Sequence, residues 1–257
     1  MFNATAIIAT LNEEKNIARA IASVKPLFAE VIVVDSLSQD GTVAIAQSMG
    51  ARVIAQEYLG DGLQKRFAVG QAAHDWIFVL DADEVAPANL AELIDPSALD
   101  PNTVYCLQRK NYVGSHWLRY GGAYPDWVSR FFNRTTHEIT PSVEHCYVPS
   151  ARYCHLKGDI EHYSHADTRA VYEKTVRHAY RSAKSMYLAG RSPALAWPSG
   201  LWMFLKLYVV KRGFLDGRIG FHYAFAAALR SFLKYSFLAE LHRDPVARSA
   251  ANFKKIF

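Results

Sequence analysis

Residues 30–55 read EVIVVDSLSQDGTVAIAQSMGARVIA, and this stretch decides the fold. Its first six residues are predicted to form a strand that is apolar on both faces, which is typical of a buried parallel sheet. A helix is predicted over 42–49, because Asp40 stands at its N-cap position and Gly50 can end it. Apolar, β-branched residues return at 52–55, which indicates a second strand. The stretch therefore predicts a β-α-β unit.

The same alternation continues on both sides of this unit. Strands are predicted at 4–10 (ATAIIAT) and at 75–80 (DWIFVL), where short apolar runs occur. A helix is predicted over 13–24, with Asn12 as its N-cap, and another over 63–73. Strands that alternate with helices in this way imply an open parallel sheet with helices on both faces.

Polar and acidic residues stand where these strands end, at 10–13, 35–36 and 81–83. Ligands bind at this edge of open parallel sheets. The sequence contains neither G-x-G-x-x-G nor G-x-x-x-x-G-K-[ST], which disfavours a dinucleotide fold and a P-loop NTPase. A carboxylate site without a phosphate-binding loop needs a cation such as Mg²⁺ or Mn²⁺ to hold a diphosphate. One Asp at a strand end usually caps a turn or helix, but three at neighbouring ends favour a ligand site.

Three segments carry a resemblance to a known family: TLNEEKNI at 10–17, the stretch at 30–53, and GDGLQKRFAVGQAAHDWIFVLDADE at 60–84. They resemble the opening of the inverting family 2 glycosyltransferases, and the third segment contains an Asp-x-Asp motif. The resemblance implies the GT-A fold, an α/β architecture. In it a Rossmann-like, mostly parallel sheet is flanked by helices, here with a helical C-terminal extension.

Short motifs further along the chain narrow this resemblance. They lie at 62–65, 109–112, 121–126, 130–132, 162–164 and 213–217. They are similar to motifs of the lipopolysaccharide-core glucosyltransferases, which extend the inner-core heptose. One departure is Leu37, where the family usually has glycine, and it indicates a slightly altered turn rather than a lost site.

The resemblance assigns roles to the residues at the strand ends. The residues implied in nucleotide-sugar binding are Thr10, Asn12, Glu13, Asp35, Lys65 and Asp81, with Asn12, Glu13 and Asp35 holding the uracil and ribose. Asp83, with Asp81, would ligate a divalent cation that neutralises the departing diphosphate. Lys65 and Arg66 either supply positive charge near the nucleotide or form a solvated helix face.

An inverting transferase also needs a base that takes the proton of the acceptor hydroxyl. The family usually has a Glu at the end of a Val-His-Glu triplet, and here residues 143–145 read Val-Glu-His. Glu144 is therefore the first candidate, and Glu138 is the alternative. Asp126 and Arg130 are predicted to take part in acceptor binding.

Composition excludes a disordered or fibrous chain, because 51% of the 257 residues are apolar and 21% are charged. Three cysteines favour a reducing compartment, and the N-terminus does not resemble a signal peptide. The net charge of +5 hides an asymmetry: 1–150 hold 11 basic and 17 acidic residues, and 151–257 hold 18 and 7. A basic, aromatic-rich second half indicates an anionic partner.

The second half is predicted to be helical, over 168–190, 197–212 and 218–241. The second of these segments is too short to span a membrane and the third too interrupted by charges, so a basic helix lying on a membrane surface is favoured. Packing between the helices or a homo-oligomer interface is the alternative. We therefore divide the chain into a catalytic domain at 1–165, with a nucleotide half at 1–100 and an acceptor half at 101–165, and a helical extension at 166–257.

A Cys- and His-rich stretch raises the question of zinc. Its residues are His145, Cys146, Cys154, His155, His162 and His165. It contains no C-x₂-C pair, so zinc is disfavoured. A contact of His162 or His165 with the diphosphate or its metal is more plausible, and ordinary buried or surface histidines more plausible still. Cys106 is predicted to lie in the core.

The sequence thus predicts an inverting, metal-dependent hexosyltransferase that moves a hexose, most plausibly glucose from UDP-glucose, to the heptose of the lipopolysaccharide inner core. The enzyme would be cytoplasmic and peripheral on the anionic inner membrane, with a lipid-linked oligosaccharide as acceptor. One alternative is another lipid-linked or polysaccharide acceptor. Alternatives of another class are a catalytically silent GT-A scaffold and a nucleic-acid binder. The nucleic-acid alternative is disfavoured because it leaves the strand-end carboxylates without a role.

Overall fold

The computed structural model describes residues 1–141, 147–244 and 247–248. The chain forms two compact units. The first consists of Met1–Lys110 and Asp126–His162, and the second of Asn111–Pro125 and the described residues from Tyr163 onwards. These units differ from the division at residue 165, because 111–125 group with the helical part, and the two-domain organisation stays a prediction.

The first unit begins with the predicted parallel strands. They are β1 (Phe2–Thr10), β2 (Phe28–Asp35), β3 (Arg52–Ala55) and β4 (Trp76–Asp81). They lie in the order β3-β2-β1-β4, and each neighbouring pair is parallel. The prediction of these four strands is confirmed, although β1 and β2 each start earlier than the sequence indicated.

Three helices connect these strands: α1 (Ile17–Val24), α2 (Thr42–Ser48) and α3 (Asp61–Gly70). The prediction that Asn12 is the N-cap of α1 is wrong, because Asn12 adopts a left-handed φ of 54° in the loop after β1 and the helix begins later, at Ile17. The N-cap of α2 is Gly41 and not Asp40 as predicted, although the Asp40 carboxylate, one residue earlier, accepts the Thr42 backbone N–H at 3.0 Å.

Beyond β4 the sheet becomes mixed. Strand β8 (Trp127–Asn133) is antiparallel to β4 and to β6 (Val104–Val113). The order then continues through β9 (Tyr153–His165) to β5 (Glu84–Val85). A short helix, α4 (Leu90–Leu93), and a 3₁₀ turn at Pro96–Ala98 lie between β5 and β6 in the chain. The parallel half thus carries the predicted strand ends, and antiparallel strands extend it.

Both faces of the parallel half are buried, as its apolar strands predict. Along β1, Ile8 belongs to one hydrophobic cluster and Ile7 to another, and along β2 the same holds for Val33 and Ile32. Helix α1 packs on the first cluster and α3 on the second. Covering both faces leaves the strand ends as the part of the sheet where polar side chains gather.

The part of the second unit that follows β9 is helical, as predicted. Strand β7 (His116–Trp117) pairs with the last residues of β6. The helices are α5 (Thr168–Leu188), α6 (Ala196–Leu205), which continues into a π-helical turn at Lys206–Val210, and α7 (Gly217–Arg243). Helix α7 packs against both α5 and α6. Within the described ranges, none of the helices combines the length and apolar character needed to cross a membrane.

The motif that begins at Gly213 has a structural role in this unit. The buried Asp216 carboxylate accepts the backbone N–H groups of Arg119 and Tyr120, at 3.1 Å and 2.8 Å. Helix α7 starts so close to the motif that a Cβ on Gly220 would lie 1.9 Å from the Gly213 carbonyl oxygen. The motif therefore fixes the loop that carries Arg119 and Tyr120 at the start of α7.

Candidate active site

The carboxyl ends of β1, β2 and β4 meet at one edge of the sheet. Thr10 is the register partner of Asp35, and Ala9 is that of Asp81. Three residues predicted to bind the nucleotide sugar therefore lie on neighbouring strands at nearly the same level. Among the described residues, the buried Thr10 hydroxyl finds no hydrogen-bond partner. A buried polar group left unpaired costs about 1–3 kcal/mol, so this atom is suited to a ligand.

The loop after β2 folds around the carboxylate of Asp35, which is 2% exposed. Ser38 donates to this carboxylate from its backbone N–H at 2.8 Å and from its hydroxyl at 2.5 Å. The turn holds Leu37 at a φ of 66°, a left-handed conformation that costs a non-glycine residue roughly 1–2 kcal/mol. Leucine here therefore adopts a backbone conformation that glycine would adopt without that cost.

The loop after β1 is hydrogen-bonded to the loop after β2. The Ser38 hydroxyl accepts the Asn12 N–H at 2.8 Å, and the Asn12 side-chain oxygen accepts the Gln39 N–H at 2.8 Å. The Glu13 N–H donates to a hydroxyl at the start of α2, also at 2.8 Å. The structure thus brings Asn12, Glu13 and Asp35 together at one end of the sheet.

Lys65 lies on α3 and is 2% exposed, which excludes the solvated-face interpretation for this residue. Its Nζ lies 2.5 Å from Asp81 Oδ1 and 2.8 Å from Asp61 Oδ1. Burial raises the pKa of Asp81, but the charges of Lys65 and Arg130 outweigh it and hold that pKa well below its usual range. Asp81 is therefore ionised at neutral pH, and its charge is compensated within the protein.

A chain of buried and half-buried charges continues from Asp81 within the first unit. The Arg130 guanidinium lies 3.4 Å from Asp81 Oδ2 and 2.5 Å from Glu84 Oε1. Arg109 in turn lies 3.6 Å from Glu84 Oε1 and 2.7 Å from Asp126 Oδ2. Acidic and basic side chains alternate along these contacts, and we call the set Lys65, Asp81, Arg130, Glu84, Arg109 and Asp126 the charge network.

Sequence reasoning missed Glu84. Its side chain is fully buried, and its Oε2 accepts the Asp81 backbone N–H at 3.0 Å. A buried carboxylate must be paired, so Glu84 holds Asp81 and Arg130 in place. The available signal was a third acidic residue directly after a buried strand. The structure puts Arg130 and Asp126 in the charge network, and their role in acceptor binding stays a prediction.

Asp83 lies beside His162, with 3.3 Å between Asp83 Oδ2 and His162 Nε2. The antiparallel pairing of β5 with β9, in which Glu84 is the register partner of His162, brings the two side chains together. The spacing in the sequence did not reveal this contact, because it depends on strand pairing between distant parts of the chain.

This pair fits a divalent cation. Two ligand atoms bound about 2.1 Å from one ion at adjacent octahedral positions lie about 3 Å apart, close to the 3.3 Å observed. Asp81, by contrast, is engaged by Lys65 and Arg130. The ranges that the structure describes contain no group of three or more His, Cys, Asp or Glu able to hold a metal ion. Substrate phosphates and water would therefore complete the shell, as they commonly do for Mg²⁺.

The candidate bases differ in what the structure says of them. Glu144 lies outside the described residues, so its role stays a prediction. Glu138 is on the surface, with a side chain 72% exposed, and pairs with Arg66 at 2.8 Å. This pair also engages the guanidinium of Arg66, the second side chain that the sequence offered as a positive charge near the nucleotide.

The remaining cysteines and histidines have separate surroundings. Cys106 is buried in the core, as predicted. His155 lies edge-on against Trp127, with 4.4 Å between ring centroids, and His165 Nδ1 lies 2.8 Å from the Ser164 hydroxyl oxygen. His145 and Cys146 lie outside the described residues.

Comparison with known proteins identifies the family. The model of glycosyl transferase family 2 matches residues 5–161, so the chain belongs to this family. The match runs from β1 into β9 and includes the strand-end residues, Asp83 and the charge network. The fold is accordingly that of the GT-A glycosyltransferases, with its mixed sheet flanked by helices and followed by a helical C-terminal part.

Relatives match over nearly the whole chain. An uncharacterized glycosyltransferase of Rickettsia typhi is 32% identical over 91% of this chain and 86% of its own length. The lipopolysaccharide core biosynthesis glycosyltransferase LpsC of Rhizobium meliloti is 26% identical over 93% of this chain and 96% of its own. The chain therefore resembles a lipopolysaccharide-core branch of the family.

A solved structure resembles part of the chain. It is glucosyl-3-phosphoglycerate synthase from Mycobacterium tuberculosis in complex with Mn²⁺, UDP and glucosyl-3-phosphoglycerate. It is 25% identical, covers 43% of this chain and 44% of its own, and has a TM-score of 0.36. Less than half of either chain is aligned.

Proposed function

We propose that this chain is an inverting, divalent-metal-dependent transferase that moves a hexose from a UDP-sugar, with UDP-glucose as the favoured donor, to the heptose of the lipopolysaccharide inner core. The observation that carries the proposal is the edge of the sheet. There, two loops are bonded together around Asp35, and Asp83 lies 3.3 Å from His162. The full-length similarity to LpsC supports the choice of acceptor.

The donor would bind at the edge formed by β1, β2 and β4. Asn12, Glu13 and Asp35 would hold the uracil and ribose, and the Thr10 hydroxyl, which is buried without a described partner, would gain one from the ligand. Lys65 would act indirectly, because its ammonium is already engaged by Asp81 and Asp61. It is thus a positioning residue for Asp81 rather than a ligand of the nucleotide.

Mg²⁺ or Mn²⁺ would be held by Asp83, with His162 as the added ligand. When bound, the ion would neutralise the charge of the departing diphosphate. Asp81 was implied as a second ligand, but its carboxylate is engaged by Lys65 and Arg130. We therefore propose that Asp81 faces the ribose and diphosphate.

Proton removal from the acceptor hydroxyl would fall to Glu144, with Glu138 as the alternative. Glu138 starts from a solvent-exposed ion pair with Arg66, which would have to break before the carboxylate could act. This contact supports Glu144 as the first choice. Asp126 and Arg130 would act on the acceptor side, with Arg130 working through the carboxylates that it binds.

Contact with the cytoplasmic face of an anionic inner membrane would bring the enzyme to a lipid-linked acceptor. Large apolar side chains of the second unit are exposed, among them Trp197, Leu201, Trp202, Leu205, Val209 and Val210. Lys206, Lys211 and Arg212 alternate with them or follow them in the sequence. Aromatic and apolar residues mixed with basic ones are typical of helices that lie in the headgroup region.

Calorimetric titration of the purified protein with UDP, with and without Mn²⁺, tests the donor site. We expect UDP, rather than GDP or CDP, to bind in a metal-dependent way. Asp83→Asn should reduce transfer of glucose from UDP-glucose at least 100-fold and abolish the effect of Mn²⁺ on UDP binding. The matched control is Asp75→Asn, which changes an exposed Asp at the opposite end of β4. Full activity in Asp83→Asn would overturn the metal assignment.

The acceptor and the base need separate assays. Transfer to isolated inner-core lipopolysaccharide, compared with other lipid-linked and polysaccharide acceptors, tests the acceptor. Glu144→Gln should bind UDP normally and lose turnover, while Glu138→Gln stays active. The reverse result would assign the base to Glu138. Loss of UDP binding in both variants would contradict a role for either residue as base.

A further inference from the structure

A cavity lies within the helical unit, apart from every residue that the proposed function uses. It lies between α5 and α7 and has a volume of about 190 Å³. Its polar lining consists of His165 at the end of β9, Lys174, Thr175 and His178 on α5, and Tyr223 and Arg230 on α7. Lys174 and His178 are one helical turn apart, so both point to the same side of α5.

The charges around this cavity have one sign. None of the described residues that line it is acidic. The nearby carboxylates have other partners: Asp167, which precedes α5, accepts the Ala170 N–H, and Glu173 on α5 pairs with Arg169 at 2.7 Å. Lys174 Nζ lies 3.4 Å from the backbone oxygen of Ser164, which is a neutral partner, and the ion pairs among the described residues do not include Lys174.

The pKa of His178 reflects the positive charges around the cavity. Burial and the positive charges of Lys174, Arg181, Arg230 and Arg177 lower its pKa to about 4. The cations around this imidazole repel one another, and they also disfavour protonation of the ring. An anion that binds among them would lower this electrostatic free energy.

We propose that the cavity between α5 and α7 is a binding site for a phosphate-class oxyanion. Lys174 and Arg230 supply the charge, and Thr175 lies at the cavity wall, where a hydroxyl can donate. Arg forms charge-assisted, often paired hydrogen bonds with phosphate oxygens, and Lys acts as a point charge. The phosphate belongs either to a soluble phosphate ester or to a lipid headgroup. Neither the donor site nor the identity of the transferred sugar enters this inference.

The test is titration of the full-length protein with inorganic phosphate, monitored by NMR of the His178 ring, whose signal is assigned with His178→Gln. The ring reports on this cavity alone, so phosphate that enters the donor site does not affect the result. Phosphate at millimolar concentration should shift the signal and raise the pKa of His178 by about 1 unit or more. Below pH 6, where inorganic phosphate is mainly a monoanion, binding should tighten as the pH falls further, because the protonated ring adds a positive charge.

Lys174→Gln combined with Arg230→Gln should weaken phosphate binding at least 10-fold. Arg243→Gln, which removes an exposed charge near the end of α7, should not change it. Circular dichroism and thermal melting establish that each variant is folded. An unchanged His178 signal at 50 mM phosphate, or the same shift in the double variant, would overturn the proposal.

Two further arms separate the sources of the phosphate. Vesicles of phosphatidylcholine with 30% phosphatidic acid test the headgroup, and glycerol 3-phosphate tests a soluble ester. A 10-fold loss of vesicle binding in the double variant assigns the site to a lipid headgroup. Unchanged vesicle binding, with lost glycerol 3-phosphate binding, assigns it to a soluble ester. A double variant that binds both like the wild type contradicts the site itself.

Discussion

The charge network of the first unit and the cavity of the second unit arrange charged side chains in opposite ways. In the network, each cation touches a carboxylate, as Arg130 does with Glu84 at 2.5 Å. In the cavity, the described lining offers Lys174, His178 and Arg230 no acidic partner. Both pKa values are lowered, with opposite effects on charge: burial raises the pKa of Asp81 but neighbouring cations outweigh it and keep the carboxyl charged, whereas burial together with neighbouring cations lowers the pKa of His178 and keeps its ring neutral.

The difference indicates where each region obtains its counter-charge. A network that is compensated internally holds its geometry without a ligand, which suits positioning of the strand-end carboxylates. A cavity lined by cations is completed only when an anion enters it. We therefore expect substitutions in the network to cost stability, and substitutions in the cavity to cost binding.

The largest expected effect comes from breaking the network at its centre. Arg130→Gln leaves the buried Glu84 carboxylate without its nearest cation, and such a change costs about 3–5 kcal/mol. Urea denaturation, followed by circular dichroism, measures the loss in the free energy of unfolding.

The matched control is Arg152→Gln, which removes an Arg from the exposed pair with Asp100 at 3.4 Å. Exposed pairs contribute about 0–1 kcal/mol, so this variant should unfold almost like the wild type. Equal effects of the two substitutions would show that Arg130 contributes no more to the free energy of unfolding than an Arg in an exposed ion pair. The network would then not differ from the cavity in how it contributes to stability.

The parallel half of the fold was predictable because its signals are local. The apolar runs of β1, β2 and β4 and the turns between them are continuous in the sequence, and the structure has all of them. The antiparallel strands depend on pairing between distant segments, which periodicity does not reveal. The start of α1 was misjudged for a local reason: Asn12 adopts a left-handed backbone that places its side chain in the loop instead of capping the helix.

The site likewise has features that local sequence signals predict and features that depend on the pairing of distant segments. The approach of Asp35 to Thr10 follows from parallel strand ends, and sequence reasoning predicted it. The contact of Asp83 with His162 requires the pairing of β5 with β9, and the role of Glu84 requires knowing which side chain β8 directs toward it. Neither is encoded in spacing along the chain. The buried state of Lys65 was equally undetermined, because a Lys in a helix usually faces solvent.

His178 in the cavity should make the free energy of unfolding depend on pH in a range where the charge network does not. His178 has a pKa of about 4 in the folded chain, against about 6.5 in an unfolded chain. Between these values the unfolded chain binds the proton and the folded chain does not, so stability should fall as the pH drops from 6.5 to 4. We expect a loss of about 1–2 kcal/mol from this group, given solvent screening at a partly exposed ring.

His178→Gln, compared with the wild type by urea denaturation at pH 7, 5.5 and 4.5, isolates this contribution. The variant should show a shallower decline over this range, because glutamine does not titrate. The charge network contributes in a different range: Asp81, with its lowered pKa, loses its contribution only as the pH falls below about 4. Parallel declines in the two proteins would mean that burial and the surrounding cations do not lower the pKa of His178 in the folded chain.

The smallest expected effect has the opposite sign from that of Arg130→Gln. Arg230→Gln removes one of several like charges around the cavity, and relief of their repulsion should stabilise the phosphate-free protein by about 0.5 kcal/mol at low salt. The gain should shrink in 0.5 M NaCl, because salt screens partly exposed charges. It should reverse in 50 mM phosphate, since the anion stabilises the wild type by binding its folded state. Thermal melting of both proteins at low salt, in 0.5 M NaCl and in 50 mM phosphate measures the difference in stability under each condition. A variant less stable than the wild type in every buffer would mean that Arg230 is compensated in the folded chain, as Arg130 is, and the two regions would then compensate their charges in the same way.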